Sequence, residues 1–122
     1  MQKSPFKKEK LQDQILTEIN RILRTETSDQ RLRFVSATKV EVNKDYSVAK
    51  VFWDTFDSTK RGDAKVALTK SAGRIRSILA GILTLRKVPA ITFEYDNRFE
   101  AEQHITDILE AEKNKQKTSD EE

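Results

Sequence analysis

The sequence predicts one α+β domain with the element order α-β-β-α-α-β-α. Three observations predict it. An apolar helical period fills the region up to residue 26, two β-branched runs separated by a short turn follow, and a basic helical stretch then leads past a proline into a third alternating run. The chain has 122 residues, 36% hydrophobic and 35% charged, which is enough for one modest core and no second one.

Residues 7–26 form the first predicted helix. Leu11, Ile15, Ile19 and Ile22 recur at steps of four and three, Leu16 and Leu23 widen the stripe, and the lysines and arginines lie largely off it. TETSDQ then ends the period, because Thr, Ser and Asp compete for backbone hydrogen bonds. Residues 34–42 and 47–54 are two strands, joined by the turn Asn43-Lys44-Asp45-Tyr46 into a hairpin. Ala49, Val51 and Trp53 are expected in the core, with Lys50 and Asp54 facing out. Residues 55–62 read as a loop. Residues 63–71 and 74–85 read as two helices meeting at Ser71-Ala72-Gly73, with Ala64, Ala67 and Leu68 inward in the first and Ile75, Ile78, Leu79 and Ile82 inward in the second. A glycine costs a helix interior about 1 kcal/mol and accepts unusual dihedrals, so a kink at Gly73 is expected. Pro89 ends that unit. Residues 90–96 alternate as a strand that puts Tyr95 with Trp53 in the core, and residues 98–112 close the domain as a helix with Phe99, Ile105, Ile108 and Leu109 inward. The domain therefore spans 6–112. The tail 113–122, KNKQKTSDEE, has nothing to bury and is expected to be disordered.

Several function classes fall away. There is no cysteine, hence no disulfide and no thiolate metal site, which fits a cytoplasmic protein. The opening MQKSPFKKEK lacks the apolar segment of a secretory signal, and no run approaches the roughly 18 apolar residues of a membrane span. His104 is the sole histidine. Asp54 with Asp57, or Glu94 with Asp96, could be imagined as acid pairs, but neither has a nucleophile and base around it. No catalytic residue, metal or cofactor is predicted.

The net charge of +3 is unevenly spread: residues 60–98 carry net +6 and residues 99–122 net −5. From Ala64 to Val88 there is no acid at all. Ser77, Ala80, Gly81 and Thr84 form the outer face of the second helix of the pair, edged by Arg74 and Arg76. Small residues between arginines let a phosphate backbone approach while the guanidiniums bind its oxygens. Lys60, Arg61, Lys70, Arg74, Arg76, Arg86 and Lys87 are the expected polyanion contacts, with Lys7, Lys8 and Lys10 as a second strip. These residues imply a basic α/β domain that binds a structured polyanion. Gly62, Gly73 and Gly81 form neither a nucleotide-binding fingerprint nor the GxxG loop by which K-homology domains clamp a nucleic-acid backbone. A protein-interaction module, using the acidic end of the chain on a basic partner protein, is one rival reading. A nuclease is the other, and it lacks an acid cluster to hold metals.

The order α-β-β-α-α-β is that of a type II K-homology domain. At residue level the chain resembles the bacterial ribosome-binding factor A family. The residues that carry this are Val40-Glu41-Val42, Asp45, Ala49-Lys50-Val51, Gly73-Arg74-Ile75-Arg76, Leu85-Arg86, Pro89 and Phe93-Glu94-Tyr95-Asp96. The resemblance covers about residues 6 to 112. It implies a K-homology-like fold in which a kinked helix pair replaces the GxxG loop. The family kink is Ala-x-Gly, and Ser71 departs from it at the first position, where its hydroxyl could bond back to a carbonyl and sharpen the bend. The resemblance further implies a factor that binds the free small ribosomal subunit near its decoding region. Such a factor promotes late maturation of the subunit's RNA, above all in the cold. A monomer that binds this RNA without catalysis is expected, with a ribosomal protein or an assembly GTPase as the partner in the rival reading.

Overall fold

A computed structural model describes residues 7–97 of the chain. Helix α1 is Lys7–Thr25, followed by a 3-10 turn Gln30–Leu32, strand β1 Val35–Val42 and strand β2 Val48–Thr55. A second 3-10 turn, Ser58–Lys60, runs into helix α2 Arg61–Ile82, and strand β3 is Ala90–Tyr95. The expected last helix 98–112 and the tail lie outside the described residues, as do Phe6 and His104.

The sheet has the order β1-β2-β3. β1 and β2 pair antiparallel from Val35↔Thr55 to Val42↔Ala49, and β2 and β3 pair parallel from Val48↔Ala90 to Trp53↔Tyr95. A parallel pair cannot be joined by a tight turn, so the chain must cross back over the sheet, and α2 is that crossover. Both helices lie on one face. Leu11, Ile15, Ile19, Ile22 and Leu23 of α1 and Ala64, Ala67, Leu68, Ile75 and Leu79 of α2 are buried there, against Val40, Val42, Ala49, Val51 and Trp53. Trp53 is buried as expected and meets half-buried Tyr95 edge-on, with centroids 5.1 Å apart. The other sheet face exposes Lys39, Glu41, Lys50, Thr92 and Glu94.

In β1 the buried set begins as Val35 and Ala37 and continues as Val40 and Val42. The register slips between Ala37 and Lys39, so Thr38 is an extra residue that moves the inward face from odd to even positions. Only the second half of this strand therefore alternates visibly in the sequence.

β1 is an edge strand, and α1 closes its outer side. Gln12 Oε1 accepts from the Val42 amide at 2.9 Å. Asn20 accepts from the Ala37 amide at 2.8 Å and donates to the Ala37 carbonyl at 3.0 Å. Arg24 donates to the carbonyls of Arg33 and Val35 and to the Ser36 hydroxyl. Helix side chains thus stand in for a neighbouring strand, which leaves less edge open to pairing with another chain.

Several expectations about α2 are corrected. The segments 63–71 and 74–85 are one helix, running without interruption through Ser71, Ala72 and Gly73. Gly73 has no positive φ, and burial of Leu68 and Ile75 on either side offsets its weak propensity. The back-bond expected of Ser71 is made instead by Thr69, whose hydroxyl donates to the Lys65 carbonyl at 2.9 Å. The helix also starts earlier than expected, at Arg61, because Asp57 accepts from the Thr59 amide and nucleates the turn that feeds it. It stops earlier too, at Ile82, where Leu83 turns extended and is buried.

Removing Asn20 leaves a partly buried amide and carbonyl without partners. Asn20→Ala should lower unfolding free energy by about 2 kcal/mol in a urea titration. A loss below about 0.5 kcal/mol would mean that water replaces the side chain at this edge.

Candidate nucleic-acid interface

The outward face of α2 follows from what its inward face buries. Gly62, Val66, Thr69, Gly73, Ser77 and Ala80 lie opposite the buried stripe and are all exposed. Bases flank this mostly small-residue strip. On the side toward β3 stand Arg61, Lys65 and Arg76. The Arg61 guanidinium lies 4.5 Å from the centre of the Tyr95 ring, and Arg76 Nη2 donates to the Val88 carbonyl at 2.9 Å. On the other side stand Lys70 and Arg74, toward the turn Gln30–Leu32. There the charge of Lys70 contributes to depressing the Asp29 carboxyl, which Arg31 holds down at about 2.

All seven residues expected to contact RNA are exposed, but they are not equivalent. Lys60, Arg61, Lys70 and Arg74 line α2 and its entry. Arg76 spends one nitrogen on anchoring the loop after the helix. Arg86 and Lys87 lie in that loop, where Gly73, Arg76, Ser77, Ala80, Leu85 and Arg86 border a shallow groove of about 480 Å³. The sequence argument left Lys65 out of the expected contacts. Its spacing of four from Arg61 places it on the same flank. Lys7, Lys8 and Lys10 occupy the first turns of α1, at the hairpin end of the sheet, since Gln12 bonds to Val42. Arg86 and Lys87 share that end, because the Ala90 amide donates to the Ser47 carbonyl. The second strip thus neighbours the far end of α2, away from Lys60 and Arg61.

Among the described residues Lys65, Lys70, Arg74, Arg86 and Lys87 form no ion pair. The open sheet face is the opposite case. Lys39 pairs with Glu41 at 2.9 Å and Lys50 with Glu94 at 3.4 Å. Uncompensated positive charge therefore lies on α2 and the loop that follows it.

Asp54 lies near Asp96, which is buried and accepts from the Thr38 hydroxyl at 2.5 Å. Burial, and then the Asp96 charge, push the Asp54 carboxyl above its ordinary value. Asp54 lies on the face away from Ala49, Val51 and Trp53, as expected, but is half-buried there. No group of three His, Cys, Asp or Glu able to hold a metal occurs among the described residues. No helix among them is long and apolar enough to cross a membrane.

The family model described as ribosome-binding factor A matches residues 7–109. The chain belongs to the ribosome-binding factor A family. A relative so named from Saccharophagus degradans is 31% identical over 86% of this chain and 84% of its own. Another, from Desulfitobacterium hafniense, is 37% identical over 82% of this chain and 81% of its own. The crystal structure of the Thermus thermophilus ribosome-binding factor A superposes with a TM-score of 0.66 at 25% identity, over 72% of this chain and 94% of that one. A homology model of the Thermus protein, fitted into the cryo-EM map of its 30S complex, superposes with a TM-score of 0.59 at 24% identity, over 71% and 92% of the two chains. The K-homology-like α+β fold is the one expected from the element order.

Gly73 tests the continuity of α2. A Cβ there would meet nothing within 4 Å, and the backbone is not left-handed. Gly73→Ala should therefore raise stability by about 1 kcal/mol. A fall in melting temperature would show that the backbone at this position departs from the helix in solution.

Proposed function

We propose that the chain is a ribosome-assembly factor that binds the free small ribosomal subunit and promotes late maturation of its RNA by binding alone, without catalysis. The observation that carries this is the strip of exposed, mostly small residues on α2, bordered on both flanks by bases, several of them without ion pairs, in a member of this family. The Thermus relative fitted into a 30S map supports the choice of partner.

In this reading Lys60, Arg61, Lys70 and Arg74, joined by Lys65, contact phosphates along α2. The span from Arg61 to Arg76 is about 22 Å at the helical rise, long enough to meet several phosphates in succession. Gly73, with Ser77 and Ala80 beyond it, contributes by keeping the outer face of the helix slim, whereas Ser71 and Ala72 are half-buried. Arg76 holds the following loop, so that Arg86 and Lys87 extend the contact, and Lys7, Lys8 and Lys10 add to it at the same end. Such contacts position the protein on RNA by shape and backbone and not by sequence. The protein acts as a monomer in the cytoplasm. It favours the RNA arrangement to which it binds better, and each 1.4 kcal/mol of preference is about a tenfold shift. That preference matters most in the cold, where misfolded RNA escapes slowly.

Log affinity for small-subunit RNA should fall linearly with log salt. Lys70→Ala and Arg74→Ala should each reduce the slope by about one and move the protein off the free-subunit peak of a sucrose gradient. Lys39→Ala, on the ion-paired sheet face, should change neither. Equal effects from all three would mean that α2 is not the binding face.

A further inference from the structure

At the end of the sheet where β1 begins and β2 stops, two phenylalanines stand in water. Phe56 is 91% exposed and Phe34 57%. Their ring centres are 6.3 Å apart with planes tilted by 45°. One exposed aromatic needs no explanation, but two side by side leave a contiguous apolar surface. The pair is also built to stay in place. The Phe56 amide donates to the Phe34 carbonyl at 3.2 Å, next to the strand pair Val35↔Thr55. Arg24 fastens the segment that carries Phe34, donating to the Leu32 carbonyl at 3.4 Å and the Arg33 carbonyl at 2.8 Å.

The surroundings are polar and cationic. The Arg33 guanidinium lies 5.5 Å from the centre of the Phe34 ring. Beside Phe34 opens a groove of about 540 Å³, walled by Thr27, Ser28, Asp29, Gln30 and Arg33. The side chains of Ser28 and Gln30 make no hydrogen bond among the described residues, so donors and acceptors are available along the wall. Asp29 does not repel an anion strongly, because Arg31 binds both its oxygens, at 3.0 and 2.8 Å. Lys60 follows Phe56 by four residues and opens onto α2.

We propose that Phe34, Phe56 and Arg33, with the adjoining groove, form a second RNA site that stacks one unpaired base of a single-stranded segment. This rests on the RNA-binding reading above and extends it from duplex backbone to a splayed-out nucleotide. An aromatic ring accepts the face of any base, and an arginine beside it binds the attached phosphate. The groove falls within the size range of small-ligand sites, roughly 300–1,000 Å³. A stable protein partner would need about 800 Å² of surface on this chain, and two rings with a polar wall supply much less. The platform lies at the entry to α2, so RNA lying along that helix could place an unpaired end on it.

The test uses the full-length chain and two RNA probes: a blunt hairpin, and the same hairpin with a six-nucleotide single-stranded 3′ tail of adenines. The wild type should bind the tailed hairpin about tenfold more tightly, the worth of roughly one stacked base. Phe34→Ser with Phe56→Ser should abolish that difference and leave affinity for the blunt hairpin unchanged, whereas Phe56→Trp should keep it. Lys70→Ala should weaken both probes by the same factor. Equal binding of the two hairpins by the wild type, with no effect of the serine substitutions, overturns the platform and leaves the α2 face standing. Binding of neither probe overturns the RNA reading itself and the platform with it. If the serine substitutions weaken association with intact small subunits but with neither hairpin, the patch contacts protein. If Phe56→Ser alone costs as much stability as a core substitution, the rest of the chain covers the ring and no open platform exists.

Discussion

Parallel pairing of β2 with β3 is the constraint on which the rest of the molecule depends. It sends the chain back across the whole sheet, and a helix of 22 residues makes the journey. Such a helix, seated on a sheet, can bury only one face. Ala64 and Ala67 let it approach closely, while Leu68, Ile75 and Leu79 fill the space beyond. The opposite face must then meet solvent along its full length. What the sequence places there decides what the protein can bind: mostly small residues in the middle, bases on both flanks, and Asp63 in the first turn as the sole acid of the helix. A domain this small has few surfaces that are both long and rigid, and α2 is one of them.

The first helix serves the same arrangement from the other side. It adds an apolar stripe to the core, but its polar residues Gln12, Asn20 and Arg24 do something a buried stripe cannot. They satisfy backbone groups on the outer edge of β1, the side away from β2, where no strand pairs among the described residues. They also pin the segment from Leu32 to Ser36, which brings Arg33 and Phe34 to the surface in a fixed orientation. Under the proposed function, the binding features are thus attached to elements whose positions are set by backbone hydrogen bonds, so little conformational freedom would have to be lost on binding RNA.

Much of this was legible in the sequence. The apolar periods of α1, β2 and β3 gave their bounds to within a residue or so, because each element buries one face against one neighbour. The net positive region was also legible, and the structure places its bases on the flanks of α2 and in the loop that follows. Gly73 misled because propensity is a local preference, and here the packing on either side of it outweighs the local cost. The bulge at Thr38 was hidden because one extra residue resets the alternation without altering composition. Asp54 and Asp96 were read apart, each with a sequence neighbour, although the sheet and not the chain order brings them together. Phe34 was taken as the start of a strand, and nothing in its immediate sequence shows that its ring meets Phe56 in solvent. Lys65 was legible and passed over.

The central claim is that the outer face of α2 lies against ribosomal RNA while the open face of the sheet does not. A photo-activated cross-linker placed singly at Ser77, at Thr69 and at Thr92 tests it most directly, with the protein bound to immature small subunits and the cross-linked products separated into RNA and protein. Ser77 and Thr69 lie between the basic flanks of α2, and Thr92 lies on the ion-paired sheet face. The account predicts strong cross-links to small-subunit RNA from Ser77 and Thr69 and little from Thr92. Cross-links to RNA mainly from Thr92, or mainly to protein from Ser77 and Thr69, would contradict it.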